Sequence, residues 1–215
     1  MYITPLVYLS YRRLSNPNDL NEATTLHNSR SGVGFAVQRG LQSNIHKYTR
    51  VPNGMKVIDN FIKDPKVMNV LKNKFFDKDF PWYYSGYVSH KNEKNKSFYF
   101  VHHFYDDGKQ LSDWFGVIHP ILGQLNFEYI LRVRANCYTC SKDNVIHDYH
   151  VDSDSPHKVA LFSVNSNNGY TQFKGSGEKV YSVENRMILF DGSQDHRSTT
   201  QTDENLRINI NINYV

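Results

Sequence analysis

The sequence has few cysteines, no long apolar run and no concentrated block of charge. Its 215 residues include two cysteines, and the chain is too long for a small scaffold held together by disulfides. No segment approaches the roughly 18 apolar residues of a membrane-spanning helix. Lysine and arginine are dispersed, so the net charge of +4 is only weak evidence for a nucleic-acid partner. The first ten residues lack the basic region of a secretory signal, and we therefore expect a soluble cytoplasmic protein without membrane contact.

Composition favours one folded domain. Hydrophobic residues make up 39% and charged residues 21% of the chain, a balance that supports a core and excludes intrinsic disorder. Aromatic residues reach 14%, which favours β-strands and aromatic-lined pockets. Residues 1–50 are polar and show no firm periodicity. We therefore predict an N-terminal extension of uncertain role over 1–50 and a single domain over 51–215.

Two helices are predicted before the strand-rich part of the chain. Asp64 followed by proline is a typical helix start, and apolar residues recur at helical spacing over 65–76. Ser112 or Asp113 can cap a second predicted helix, which continues to Leu125 with a kink at Pro120. Between them, residues 80–105 hold ten aromatics around the polar turn 91–96. This arrangement predicts a hairpin or a long two-stranded flap.

The second half of the chain reads as a series of short strands separated by turn residues. Short strands preceded by helices predict a mainly β fold with flanking helices, either a sandwich or a jelly roll. In the last strand, isoleucines alternate with Arg207, Asn209, Asn211 and Asn213. One face of this strand therefore packs on apolar residues, and the other faces solvent or a lined cavity. The predicted strands are 127–138, 159–164, 170–173, 179–183, 187–190 and 206–215.

A possible metal site is visible in the spacing of two histidines and one aspartate. His150 and Asp152 are two residues apart, so in an extended segment both side chains project to one side. His196 follows 44 residues after Asp152, and Arg207 follows 11 residues after His196. Two imidazoles and one carboxylate can occupy one face of an octahedral Fe(II) ion and leave three positions open. A guanidinium on the adjoining strand can pair with a carboxylate in the same cavity.

A zinc site is an alternative for part of this set. Cys137 and Cys140, with His147 and His150 downstream, have a spacing that could form a tetrahedral site. Such a site would use His150 and leave Asp152 without a role. We therefore favour two reduced cysteines on or near a strand.

Over about three quarters of its length, the chain resembles the 2-oxoglutarate- and Fe(II)-dependent dioxygenases, in the branch that includes the prolyl 4-hydroxylases. The resemblance implies a double-stranded β-helix core, Fe(II) and O₂ as cofactors, and 2-oxoglutarate as cosubstrate. The segments that carry it are 136–138, 150–152, 161–173 and 185–192, together with His196 and Arg207.

The resemblance assigns a role to each candidate residue. It implies that His150, Asp152 and His196 are the iron ligands and catalytic centre, and that Arg207 binds the distal carboxylate of 2-oxoglutarate. Tyr138 stands where prolyl hydroxylases have a tyrosine that faces the cosubstrate or the pocket. Asn209 shares the face of Arg207, where it serves cosubstrate binding, a structural bond or solvation.

Departures from related branches narrow the expected reaction. Nucleic-acid demethylases of the superfamily typically repeat an arginine six residues after the first, where this chain has Asn213. A second pocket tyrosine of some prolyl hydroxylases is replaced here, near Phe162 or Ser163. Related halogenases have a small residue in place of the carboxylate, so Asp152 favours hydroxylation over halogenation.

The leading functional prediction is hydroxylation of a protein or peptide side chain such as proline. The alternatives are an oxygenase acting on a nucleotide, a nucleic acid or a small metabolite, and a non-catalytic jelly-roll binding module. The complete set of His150, Asp152, His196 and Arg207 argues against the non-catalytic alternative, which has no physical need for it. Residues 80–105 resemble the flaps that cover substrate in this superfamily. The oligomeric state is left open.

Overall fold

A computed structural model describes residues 49–50, 54–90 and 97–215 of the chain. Lys47–Val215 form one compact unit. Almost all of the predicted extension over 1–50, and the predicted turn over 91–96, lie outside the described residues. Within the described part of the chain, no helix is long and apolar enough to cross a membrane.

Within the described residues, twelve strands form two antiparallel sheets. The large sheet has the order β1-β2-β10-β7-β12-β6-β4-β3, with β5 paired to β4, and the small sheet has the order β11-β8-β9. This mainly β architecture confirms the predicted jelly-roll class. The strands are β1 (Thr49–Arg50), β2 (Lys56–Ile58), β3 (Tyr83–Ser85), β4 (Tyr99–Asp106), β5 (Lys109–Gln110), β6 (Ile130–Thr139), β7 (Lys158–Ser163), β8 (Tyr170–Phe173), β9 (Lys179–Tyr181), β10 (Arg186–Asp191), β11 (His196–Ser198) and β12 (Leu206–Tyr214).

The first predicted helix is confirmed as α1 (Pro65–Phe75). The side chain of Asp64 accepts a hydrogen bond from the backbone N–H of Lys66 at 2.8 Å, which caps the helix. Val70 is 60% exposed. The helical spacing of apolar residues over 65–76 predicted that it would lie on the buried face.

The second helix is shorter and of a different type than predicted. A 3₁₀ helix covers Asp113–Ile118, capped by the Ser112 hydroxyl, and α2 covers only His119–Leu122. The helical segment starts where it was predicted to start. Its first part is the tighter 3₁₀ helix, and Pro120 follows as the second residue of α2.

The two faces of the large sheet have different neighbours. One face packs on the helices, through the isoleucines of β12, Val133 of β6 and residues such as Leu71 and Phe75 of α1. On the other face, Leu161 of β7 and Phe190 of β10 pack against the small sheet. Side chains of β6 and β12 on this second face line a pocket between the sheets.

The predicted aromatic hairpin is confirmed in its paired part. Tyr83–Ser85 pairs antiparallel with β4, which in turn pairs with β6. Val88, between the two hairpin strands, contributes to the same pocket as His150. His102 is structural, because its ring nitrogens lie 2.7 Å from the Pro81 carbonyl and 2.7 Å from the Ser112 hydroxyl.

Candidate metal and cosubstrate site

The fold brings His150 and His196 side by side through the backbone. The N–H of each residue donates to the carbonyl of the other at 3.0 Å, an isolated antiparallel bridge between the loop after β6 and the start of β11. The centroids of the two imidazole rings consequently lie 4.7 Å apart. Asp152 follows in the same loop, and donor atoms of the three side chains all lie within 4.8 Å of one another. The structure therefore assembles the three predicted ligands into one cluster.

Both imidazoles are oriented by backbone carbonyls. Nδ1 of His150 donates to the carbonyl of Asp148 at 3.3 Å, and Nδ1 of His196 donates to the carbonyl of Gln194 at 3.1 Å. This leaves each Nε2 as the free acceptor, as in histidines that bind metals. Burial, with the neighbouring His196, lowers the pKa of His150 to about 4. His150 is therefore neutral near pH 7, which a metal ligand requires.

Asp152 is held as an anion by four side chains. Asn211 and Asn213 of β12 donate to its Oδ2 at 2.9 and 3.0 Å. Arg132 and Arg134 of β6 lie 3.1 and 3.6 Å from its Oδ1. Burial alone would raise the pKa of Asp152, but Arg134 foremost, with His196 and Arg132, holds it well below its usual range. The third predicted ligand is therefore ionised and fixed in orientation.

Arg207 is a buried cation without an anionic partner among the described residues. Its Nε donates to the Ser182 hydroxyl at 2.8 Å, and Nη1 donates to the Thr199 carbonyl at 3.2 Å. The third nitrogen, Nη2, reaches the Thr171 hydroxyl at 3.5 Å. Arg207 is 1% exposed, and none of these neighbours carries a charge. Burying an unpaired charge is costly, so this environment is suited to an anion that binds from the pocket.

Tyr138 and Asn209 both line the pocket. The Tyr138 ring lies 5.1 Å from the Arg207 guanidinium, and its hydroxyl accepts a hydrogen bond from Ser198 at 3.3 Å. Burial raises the pKa of Tyr138, so its hydroxyl is neutral and able to donate. Asn209 accepts a hydrogen bond from Asn136 at 2.8 Å, while the Asn136 side-chain oxygen is buried without a partner. An unfilled acceptor in the pocket wall points to a ligand with a donor, or to water.

Gly169 provides the space that Arg207 occupies. A Cβ at this position would lie 2.5 Å from Cδ of Arg207 and 2.9 Å from the Asn167 side-chain oxygen. We therefore expect Gly169→Ala to displace the guanidinium and weaken 2-oxoglutarate binding by about tenfold, because the bond to a charged group is misaligned. Calorimetric titration of 2-oxoglutarate into the metal-loaded variant measures the effect. Gly175→Ala is unsuitable as a control because φ is +88° there, whereas Gly116→Ala has open space and should bind normally.

Sequence reasoning missed the residues that surround Asp152. Arg132, Arg134 and Asn136 alternate with core residues along β6, and they lie opposite Asn213, Asn211 and Asn209 of β12. The alternation of polar and core residues over 130–138 could have identified them, because it has the same period of two as the polar face of the last strand. The short strand β11, which begins at His196, was also not predicted, because three residues are too few to show a periodic pattern.

The two cysteines are not brought to a common site. Cys137 is buried in the core on the face of β6 opposite Tyr138, and Cys140 is exposed. The alternative zinc site is therefore not formed, and among the described residues the His150, Asp152 and His196 cluster is the candidate metal centre.

Comparison with known proteins gives matches at the level of structure alone. No protein-family model matches the chain, and no curated protein matches it significantly. The chain is similar to the viral collagen prolyl hydroxylase of Paramecium bursaria Chlorella virus-1, solved in complex with 2-oxoglutarate. The TM-score is 0.51 at 14% identity, covering 75% of this chain and 96% of that one.

Two further solved structures share the fold but differ in what they act on. A Trichoplax adhaerens prolyl hydroxylase, in complex with a hypoxia-inducible-factor peptide fragment, matches with TM-score 0.50 at 12% identity, covering 76% of this chain and 84% of that one. The 2-oxoglutarate-dependent epimerase SnoN from nogalamycin biosynthesis matches with TM-score 0.54 at 11% identity, covering 76% of each chain. The predicted resemblance to Fe(II)/2-oxoglutarate oxygenases is thus confirmed for the fold.

Proposed function

We propose that this protein is an Fe(II)- and 2-oxoglutarate-dependent dioxygenase that hydroxylates a protein or peptide side chain such as proline. The observation that carries the proposal is the cluster of His150, Asp152 and His196 beside Arg207, a buried cation without a carboxylate partner. An idle jelly-roll module would have no reason to keep either feature buried in one pocket.

The proposed metal ligands suit Fe(II) in chemistry and protonation. His150 and His196 offer their Nε2 atoms, and Asp152 offers an ionised oxygen, the two-histidine-one-carboxylate set of non-haem iron oxygenases. Bound Fe(II) with 2-oxoglutarate and O₂ supplies the oxidation of a C–H bond. The backbone carbonyls and the Asn211 and Asn213 amides keep the donor atoms in place for that ion.

The proposed cosubstrate contacts lie at the Arg207 end of the pocket. Arg207 would pair with the distal carboxylate of 2-oxoglutarate and so gain the anion that its surroundings lack. Tyr138, whose ring lies 5.1 Å from the Arg207 guanidinium, and Asn209 line the pocket together with both histidines and are proposed as further contacts. The viral prolyl hydroxylase of similar fold was solved with 2-oxoglutarate, which supports this assignment.

A peptide is the proposed substrate, and two observations support it. The Trichoplax prolyl hydroxylase of similar fold was solved with a peptide. In this chain, the aromatic hairpin places exposed Tyr83 and Tyr84 on the edge strand β3, where an extended peptide can lie.

Anaerobic titration with Fe(II), with and without 2-oxoglutarate, tests the proposed function directly. We expect the weak visible charge-transfer band of the iron–2-oxoglutarate chelate only when both are present. Absence of this band, with a folded protein and saturating ligands, contradicts the dioxygenase assignment and supports the binding-module alternative.

The hairpin gives a separate prediction about substrate coupling. Shortening the segment 91–96 to a tight turn should reduce peptide-dependent oxidation by about tenfold, because loops that close over substrate exclude water and complete the site. Uncoupled decarboxylation of 2-oxoglutarate should change far less, since it needs only the metal and cosubstrate residues. Succinate release with and without substrate measures both rates, and equal losses would show that the hairpin tip has no role in substrate coupling.

A further inference from the structure

Two arginines of β6 share one carboxylate at the metal end of the pocket. Arg132 and Arg134 form what we call the arginine pair. Both project to the polar side of β6, because Val133, which lies between them in sequence, is buried in the core on the other side of the strand. Within the described ranges, Asp152 is the carboxylate that lies within ion-pair distance of them, at 3.1 and 3.6 Å. Asp106 lies in register with Arg132 but is exposed. Two partly buried cations therefore have one close anion.

The arginine pair also has an unfilled hydrogen-bond donor. Nε of Arg134 is buried without a hydrogen-bond partner, and so is the side-chain oxygen of Asn211, whereas Nη2 of Arg132 makes the 3.1 Å ion pair with Asp152. A buried donor without a partner is unfavourable. Arg134 lines the pocket together with His150 and His196. The pocket wall beside the proposed metal ligands thus carries a cationic donor that no described residue satisfies.

The arginine pair is separate from the proposed cosubstrate contact. Arg207 is opposite Tyr138 in the β6–β12 register, whereas Arg134 is opposite Asn211, four residues further along β12. Four residues of a strand span about 13 Å, so the two arginines arise from separate parts of the sheet, Arg207 bonding to Ser182 and Thr199 and Arg134 lying beside Asp152. A divalent metal on Asp152 would also share the charge of that carboxylate and leave the arginine pair still less neutralised.

We propose that the arginine pair recognises a carboxylate on the substrate. The two guanidiniums offer the planar donor geometry that fits a carboxylate. The substrate is therefore an acid: either a free imino acid or chain terminus with an α-carboxylate, or a peptide with an acidic side chain near the oxidised carbon. This inference rests on the proposed function and names the chemistry of its substrate.

The test is a site-resolved titration of the protein loaded with Zn(II) and 2-oxoglutarate, in which Zn(II) prevents turnover. The guanidinium Nε–H signals of Arg132 and Arg134 are followed by nuclear magnetic resonance while acetate or acetamide is added at constant ionic strength. We expect acetate to shift both signals saturably and to bind at least about tenfold more tightly than acetamide, a difference of about 1.4 kcal/mol. The signal of Arg186, which pairs with exposed Asp59, is the matched control and should not move.

Substitutions distinguish recognition from a merely structural role. Arg134→Gln and Arg132→Gln should each reduce the preference for acetate over acetamide to less than about threefold, because a neutral amide does not favour the anion. Arg134→Lys retains the positive charge and should keep part of the preference for acetate over acetamide. This variant tests the proposal if a glutamine variant does not fold. If the variants weaken Zn(II) binding but leave the ratio unchanged, the pair only positions Asp152 and the proposal is wrong.

Two larger probes identify the source of the carboxylate. N-acetyl-L-proline carries only an α-carboxylate, and N-acetyl-L-aspartic acid α-amide carries only a side-chain carboxylate. Tighter binding of either supports the proposal and selects the source. Equal affinities for acetate and acetamide overturn it, even if Zn(II) and 2-oxoglutarate bind normally. Failure of the metal and 2-oxoglutarate to bind counts instead against the proposed function. Repeating the titration on metal-free protein separates this failure from a failure of carboxylate recognition by the arginine pair.

Discussion

His150→Ala and His196→Ala are each expected to abolish 2-oxoglutarate turnover while the protein remains folded. Each substitution removes one of the three ligands proposed for Fe(II), and two remaining ligands do not hold the ion in an open octahedral site. Both side chains hydrogen-bond to nearby backbone carbonyls, so thermal unfolding of metal-free His150→Ala should shift little, whereas His196→Ala also removes a buried ring packed against Phe190 and should shift it more. Succinate formation and the anaerobic charge-transfer band measure the loss.

Asp152 is expected to behave differently from the histidines. Asp152→Ala should abolish turnover too, but it also removes the carboxylate that Arg132 and Arg134 share. Leaving a buried cation unpaired is strongly destabilising, and we expect a cost of about 2 to 3 kcal/mol in the free energy of unfolding. Denaturant titration measures this cost. His157→Ala, which changes a buried histidine outside the pocket lining, serves as the control for turnover.

If either His150→Ala or His196→Ala retains normal iron-dependent turnover, the ligand assignment is wrong. Retained Fe(II) binding without turnover would show that the substituted histidine is needed for oxidation but is not required to hold the ion. Succinate formation reports turnover and the anaerobic titration reports the metal, so the two are tested separately.

Arg207→Ala is expected to raise the Michaelis constant for 2-oxoglutarate by roughly a hundredfold, because a hydrogen-bonded charge pair contributes about 2 to 3 kcal/mol. Arg207→Lys keeps the charge but loses the planar fork, so an intermediate loss is expected. Affinity for the metal should change far less, since Arg207 is not among the three clustered ligands. Steady-state kinetics at varied 2-oxoglutarate and a separate metal titration make the distinction.

Arg186→Lys is the matched control for Arg207→Lys. Arg186 also binds through a bidentate contact, to Asp59 at 2.6 and 3.0 Å, but its partners Asp59 and Tyr181 do not line the pocket, whereas Arg207 bonds to pocket-lining Thr171. Its substitution should leave the Michaelis constant unchanged. An unchanged constant in Arg207→Ala as well would assign the cosubstrate carboxylate to another cation, with Arg134 the first to test.

Local elements were predictable where short-range signals agree. The helix Pro65–Phe75 follows a side-chain cap and a proline, and its start depends on no distant contact. The second helix began where its Ser112 cap indicated, but its length and type depend on packing against the sheet, which no local pattern encodes. Likewise, the spacing of His150, Asp152 and His196 pointed to three ligands, although β11 itself was too short to be recognised.

By itself, the sequence determined the alternation of β12, with isoleucines on one side and Arg207 and three asparagines on the other. Only the tertiary structure decided that this polar side is buried, with Asn209 and Asn211 lining a pocket, and does not face solvent. The reason is that a period of two defines the faces of a strand but not its neighbours. The register between β6 and β12 pairs Arg134 with Asn211 and Arg132 with Asn213, which are more than 70 positions apart, and this pairing placed Arg132 and Arg134 around Asp152.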